Sequence, residues 1–132
     1  MQNLKQQLIV RKDDYETIMN YLKRGSARNS FNRKDVEDLE AELRRAKLVD
    51  KEELPVDVVR LNSTVTIKDE QRKNILEVTV VTPENADIKM KKISILSPIG
   101  TALIGFKKGE KVSWEVPAGK KSFTIIDVAN RL

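Results

Sequence analysis

The hydrophobic pattern of this 132-residue chain changes its period once, near Pro55, and that change limits the folds open to it. Before it, apolar residues recur at helical spacing; after it, they alternate. Following the apolar stretch Leu8, Ile9, Val10, the pair Asp13 and Asp14 is suited to cap a helix whose apolar positions Tyr15, Ile18, Met19 and Leu22 fall at i, i+3, i+4, i+7. Gly25 is expected to stop that helix, and residues 25–32, GSARNSFN, supply loop chemistry. Asp35 then stands near the start of a second run, Val36, Leu39, Leu43 and Ala46, with the a/d steps of a coiled-coil seam. Two such helices joined by a short loop read as an antiparallel helical hairpin, a short coiled-coil arm over residues 1–52. Isolated helices shorter than about 12 to 15 residues are marginal in water, so the two seams should pack together.

Residues 49–57, VDKEELPVD, are polar and form a connector. Strands are expected at residues 64–68, with Val65 and Ile67 inward; at 74–81, alternating through Ile75 or Leu76, Val78 and Val80; around Ile93 and Ile95; at 111–116; and at 122–128. Pro117, Ala118 and Gly119 join the last two as a hairpin. Between strands, Ser97 suits an N-cap, Pro98 the first helical position and Gly105 the end of a short helix, with Leu103 and Ile104 in the core. The sum is an α+β chain: a helical hairpin at 1–52, then an antiparallel β-sheet domain with one short helix at 53–132.

Composition narrows the chemistry. There is no cysteine and no histidine, which removes disulfide scaffolds, thiolate zinc sites, cysteine nucleophiles and histidine acid–base catalysis. Carboxylates, lysines, hydroxyls or a carboxylate-held hard cation are what remains. A formal charge of +5 leans toward acidic or polyanionic partners without the density of a dedicated nucleic-acid binder. No apolar run approaches the roughly 18 residues of a membrane span, and the first residues, MQNLKQQLIV, lack a secretory pattern, so a cytoplasmic protein that contacts no membrane is expected.

Residues 93–128, ISILSPIGTALIGFKKGEKVSWEVPAGKKSFTIIDV, resemble the C-terminal domain of the Gre transcript-cleavage factors through Ser-Pro-apolar-Gly, Gly-Glu-x-Val and a Pro-x-Gly turn. Upstream, DVVRLNSTVTIKD at 57–69 resembles the Rnk proteins, known as regulators of nucleoside diphosphate kinase; PENADIKMKKISILSP is similar to both, and the connector AKLVDKEELPVDVV to Rnk. The resemblance is strong over 47–128 and weaker over the arm. It implies an FKBP-like fold for the C-terminal domain and docking near the secondary channel of bacterial RNA polymerase. The matching contact residues are Ser97, Pro98, Ile99 and Gly100, although a Ser N-cap followed by Pro is also an ordinary helix start. Leu96 departs from the family, where Asn or Asp commonly precedes the Ser.

The Gre resemblance also implies that cleavage needs acidic residues at the tip of a long arm, which help hold a second magnesium. Here residues 17–34 contain no Asp or Glu, while Lys23, Arg24, Arg28, Arg33 and Lys34 are all basic. Cations repel a divalent metal and do not ligate it. The nearest acids, Asp35, Glu37 and Asp38, suit the first turn of a helix. Helices of this length extend only roughly 18 to 24 Å. Arg24, Arg28, Phe31, Arg33 and Lys34 form a tip able to touch nucleic acid or a channel wall, or else a solvated loop closed by Phe31. Trp114 and the lysine pairs 91–92, 107–108 and 120–121 read as sheet and edge residues. The reading is therefore a monomeric polymerase-binding transcription regulator of the Rnk-like type. It lacks catalytic residues, metal and cofactor, and competes with Gre factors. The alternatives are a weak cleavage factor or a regulator of nucleoside diphosphate kinase.

Overall fold

The structure, a computed structural model, describes residues 7–23, 33–116 and 119–130. Strand β1 (Ile9–Arg11) runs directly into helix α1 (Lys12–Leu22), and helix α2 (Arg33–Arg44) leads into strand β2 (Lys47–Val49). The helical spacing does what it should: Ile18, Met19, Leu22, Val36, Leu39 and Leu43 are buried, and Tyr15 and Ala46 pack on the same core. The two helices touch each other. The segment 24–32 that joins them, with the expected stop at Gly25, lies outside the described residues.

Two expectations are corrected here. Asp13 and Asp14 do not cap α1; Arg11 is the N-cap and makes no side-chain cap bond. Both acids lie in the first turn instead, where they meet the positive end of the helix dipole. Asp13 takes the Arg11 guanidinium, and Asp14, only 3% exposed, takes that of Arg60 at 2.8 and 2.9 Å. The apolar stretch at 8–10, given no element from the sequence, runs into a strand, Ile9–Arg11. It pairs with β2 in parallel, Val10 opposite Leu48 and Arg11 opposite Val49, so part of the connector is strand. Leu8, Val10 and Val49 are buried by that pairing.

The larger sheet contains β3 (Thr64–Asp69), β4 (Ile75–Val81), β5 (Lys92–Ser94), β6 (Lys111–Val116) and β7 (Gly119–Ala129), in the order β5-β4-β3-β7-β6. It is mixed, where alternation alone suggested an antiparallel one. The pair β4–β5 is parallel because the chain leaves β4 through two 3₁₀ turns, Pro83–Asn85 and Ile88–Met90, and re-enters in the same direction. A tight hairpin would have reversed it. Val65 and Ile67 are fully buried, as alternation requires, but Ile75 and Leu76 at the start of β4 are exposed, and only Val80 and Val81 of that strand are buried. In β7, Phe123, Ile125 and Val128 face inward; the break from period two coincides with a register shift opposite Thr66 and Ile67, the mark of a β-bulge.

Helix α3 (Pro98–Leu103) packs on β5, β6 and α2. Its last turn buries Ala102 and Leu103, followed by Ile104 and Phe106. Gly105 has φ +83°, and a Cβ there would lie 2.9 Å from that of Leu8, so the chain end of the arm packs against the end of α3 where no side chain fits. Residues of both helices and of the sheet belong to one continuous hydrophobic core. Polar contacts add to it. Tyr21 donates to the Glu84 carboxylate, and Asn130 donates to the carbonyls of Val56 and Val58 at 2.8 and 2.9 Å.

Two predictions follow from this packing. Asp14→Ala strips Arg60, whose side chain is 13% exposed, of its carboxylate, and should cost about 2 to 4 kcal/mol in urea unfolding. Adding Arg60→Met should recover most of that. Glu42 of α2 is 3% exposed and its Oε1 has no hydrogen-bond partner among the described residues. Burial raises its pKa, with Asp38 adding to the rise and Arg45 opposing it. A carboxyl with a raised folded-state pKa contributes stability that is full below the ordinary carboxylate range and is lost as pH rises through the folded value. Glu42→Gln should therefore melt at a higher temperature than the parent at neutral pH, and the gap should close below about pH 4.

Candidate functional site

The four residues singled out at the start of the short helix come together in one turn. Ser97 is the N-cap of α3: its hydroxyl accepts from the Gly100 amide at 3.1 Å and donates to the Ser94 carbonyl at 2.7 Å. Both hydrogen-bonding capacities are thereby used inside the protein. Gly100 is buried, and a Cβ on it would stand 2.2 Å from the Ser94 carbonyl oxygen. These two residues hold the turn tight. Pro98 and Ile99 are half-buried and supply its accessible apolar surface, Ile99 also packing on the core. Leu96, in place of a polar residue, packs on the core as well. The turn thus presents an apolar bump on a rigid support.

Of the arm-tip residues, Arg33 and Lys34 are described and exposed. Arg24, Arg28 and Phe31 lie outside the described residues, as do the side chains of Asp35 and Trp114. Arg33 lies 3.2 Å from Glu37, an i,i+4 pair that occupies that carboxylate. Cations in the first turn of a helix oppose its dipole, at a cost of roughly 0.3 to 1 kcal/mol each. Arg33 and Lys34 are therefore poorly placed for helix stability. Among the described residues no group of three acidic side chains is arranged to hold a metal ion.

One feature left no trace in the sequence. Arg11, Lys51, Arg60 and Lys92, from four separate segments, line a cleft of about 490 Å³ between the base of the arm and the sheet. No spacing rule connects these positions. The segment DVVRLNS, singled out as a motif, builds one wall. Val58, Val59 and Leu61 are buried, Asn62 takes φ +73°, and Ser63, fully buried, donates to Asn130.

Comparison with known proteins places these features. The family described as "Transcription elongation factor, GreA/GreB, C-term" matches residues 54–130, more than half of the chain. The chain belongs to the GreA/GreB family. The match takes in all five strands of the larger sheet and the Ser97 turn, and leaves out α1 and α2. A GreA of Pelobacter propionicus is 40% identical over 101 residues, covering 76% of this chain and 64% of that protein. A GreA of Caldanaerobacter subterraneus is 43% identical over 90 residues, covering 68% and 57%. The chain thus spans under two thirds of the length of these GreA proteins. A solved structure, the prokaryotic transcription elongation factor GreA/GreB from Nitrosomonas europaea, matches end to end. Its TM-score is 0.77 at 36% identity, over 95% of this chain and 99% of that one.

In this GreA/GreB member the Ser-Pro turn owes its shape to Ser97 and Gly100. Ser97→Ala should cost about 1 kcal/mol through loss of the cap. Gly100→Ala should cost about 2 kcal/mol or more because the Ser94 backbone has to move. Denaturant midpoints of the two variants against the parent give both values.

Proposed function

We propose that this protein docks on bacterial RNA polymerase near the secondary channel, through the apolar bump at Pro98 and Ile99 held by Ser97 and Gly100, and regulates transcription without stimulating transcript cleavage. The observation that carries the docking reading is the turn itself. It lies inside the GreA/GreB match, and its polar groups are spent on rigidity while its apolar ones stay accessible. The sheet part is read as FKBP-like and the two helices as a short antiparallel coiled-coil hairpin. A monomer in the cytoplasm, working without a cofactor, fits this role. No helix among the described residues is long and apolar enough to cross a membrane.

The absence of cleavage rests on charge. Residues 17–34 hold five cations and no carboxylate, the reverse of what a magnesium ion needs. At 1.5 Å per residue, the described turns of α1 and α2 span about 17 to 18 Å. A protein of this kind would compete with Gre factors for the channel mouth. Arg24, Arg28, Phe31, Arg33 and Lys34 would meet nucleic acid or the channel wall. The Rnk-like branch is read from the resemblance of residues 57–69 and of the connector. The matched curated relatives carry the name elongation factor GreA, and this favours a second reading, a weak cleavage factor using Asp35, Glu37 or Asp38. Regulation of nucleoside diphosphate kinase follows from the Rnk resemblance alone.

Pro98 occupies the first helical position, where Asp is also well tolerated because it meets the helix dipole. Pro98→Asp should leave the circular dichroism spectrum unchanged and weaken binding to core polymerase by roughly tenfold or more. The parent protein should displace a Gre factor from polymerase and add no cleavage to backtracked complexes. Cleavage that disappears in an Asp35→Ala, Asp38→Ala variant would establish the second reading.

A further inference from the structure

The basic cleft at the base of the arm lies apart from the Ser97 turn and has no part in the docking reading. Arg11 comes from β1, Lys51 from the 3₁₀ turn after β2, Arg60 from the segment before β3, and Lys92 from β5. Asn62 and Thr79 add amide and hydroxyl groups to the lining, which among the described residues includes neither a carboxylate nor an aromatic ring.

The two arginines are held in place. Arg11 gives its Nε and one Nη to Asp13, and Arg60 does the same with Asp14. A guanidinium has five N–H donors, so each keeps donors beyond those in its carboxylate bridge. Fixing a planar fork before a ligand arrives lowers the ordering cost of binding, which suits recognition of oxyanions. Asp13 and Asp14 offset the charges of Arg11 and Arg60. Lys51 and Lys92 form no ion pair among the described residues, and they leave the cleft positive. Two ammonium groups and two pinned guanidiniums lining one cleft match a ligand carrying at least two negative charges with oxygens on several sides. A volume of about 490 Å³ falls in the usual range of small-molecule sites. Without an aromatic platform, a nucleobase has only the guanidinium planes of Arg11 and Arg60 to stack on, so the phosphates carry most of the recognition.

We infer that this cleft binds a small polyphosphorylated molecule, clamped between the arm base (Arg11, Lys51) and the sheet (Arg60, Lys92). Because the four cations come from both parts of the chain, an occupant adds a bridge between arm and sheet. It should stabilise the folded protein by mass action.

The test uses the full chain with inorganic tripolyphosphate as probe, by calorimetric titration at low salt and by thermal unfolding. Saturable binding at one site per chain, with a rise in melting temperature, is expected. Lys51→Glu and Lys92→Glu should each weaken binding by about tenfold or more. Lys120→Glu, at the far end of β7 opposite Glu115, should leave the affinity within about twofold. Melting curves of the unliganded variants show that each remains folded. The inference is overturned by an absence of saturable binding, or by a loss at Lys120→Glu equal to that at Lys51→Glu, which indicates diffuse surface charge. It is also overturned if a single-stranded RNA oligomer displaces the probe and shows the same sensitivity at Lys51 and Lys92, which makes the cleft a nucleic-acid track.

Discussion

The buried pair Asp14–Arg60 ties the two halves of this protein together. A carboxylate that is 5% exposed and a guanidinium that is 13% exposed are acceptable inside a protein only as partners, because each alone would lose its hydration without compensation. The pair therefore fixes the start of α1 against the segment that leads into β3. That segment is held from its other side too: Asn130, just past β7, donates to the Val56 and Val58 carbonyls and accepts from the buried Ser63 hydroxyl. Tyr21, two to three turns along α1, reaches Glu84 beyond β4. With the shared core beneath these contacts, the arm is seated on the sheet, and the cleft of Arg11, Lys51, Arg60 and Lys92 exists only because it is.

The Ser97 turn divides its work in a way that its residue types alone do not display. Serine before proline reads equally well as a helix cap and as a contact surface. The geometry gives the cap and the tight backbone approach to Ser97 and Gly100, and leaves exposure to Pro98 and Ile99. A rigid apolar bump loses little entropy on docking, which is the physical advantage of spending the polar groups internally. The arm shows the opposite economy. Arg33 and Lys34 sit in the first turn of α2, where the helix dipole disfavours them, and Arg33 is relieved by a neighbouring acid, Glu37.

Much of the architecture was legible in the sequence. Helical spacing located Ile18, Leu22, Leu39 and Leu43 in the core, and alternation located Val65, Ile67 and Val80, because burial of one face imposes its period on the chain. The cap at Ser97 and the left-handed Gly105 were legible for the same local reason: a single residue type meets a single backbone requirement. The family, too, showed in residues 93–128, where turn and cap residues stand at fixed distances.

What the sequence did not contain was partnership at long range. Asp14 looked like a cap because the residue that claims it, Arg60, lies 46 positions away. Residues 8–10 showed only as an apolar stretch because their strand partner follows two helices later, and β5 looked antiparallel because direction depends on the path through two 3₁₀ turns. The exposure of Ile75 and Leu76 depends on where the core ends, which no alternation records. Local periodicity and turn chemistry are properties of neighbouring residues, so the sequence alone determined the helices, the five strands of the larger sheet, most inward faces and the family. Ion pairing, strand direction and the joining of four distant cations into one cleft depend on which surfaces meet when the core closes, and only the tertiary structure decided them.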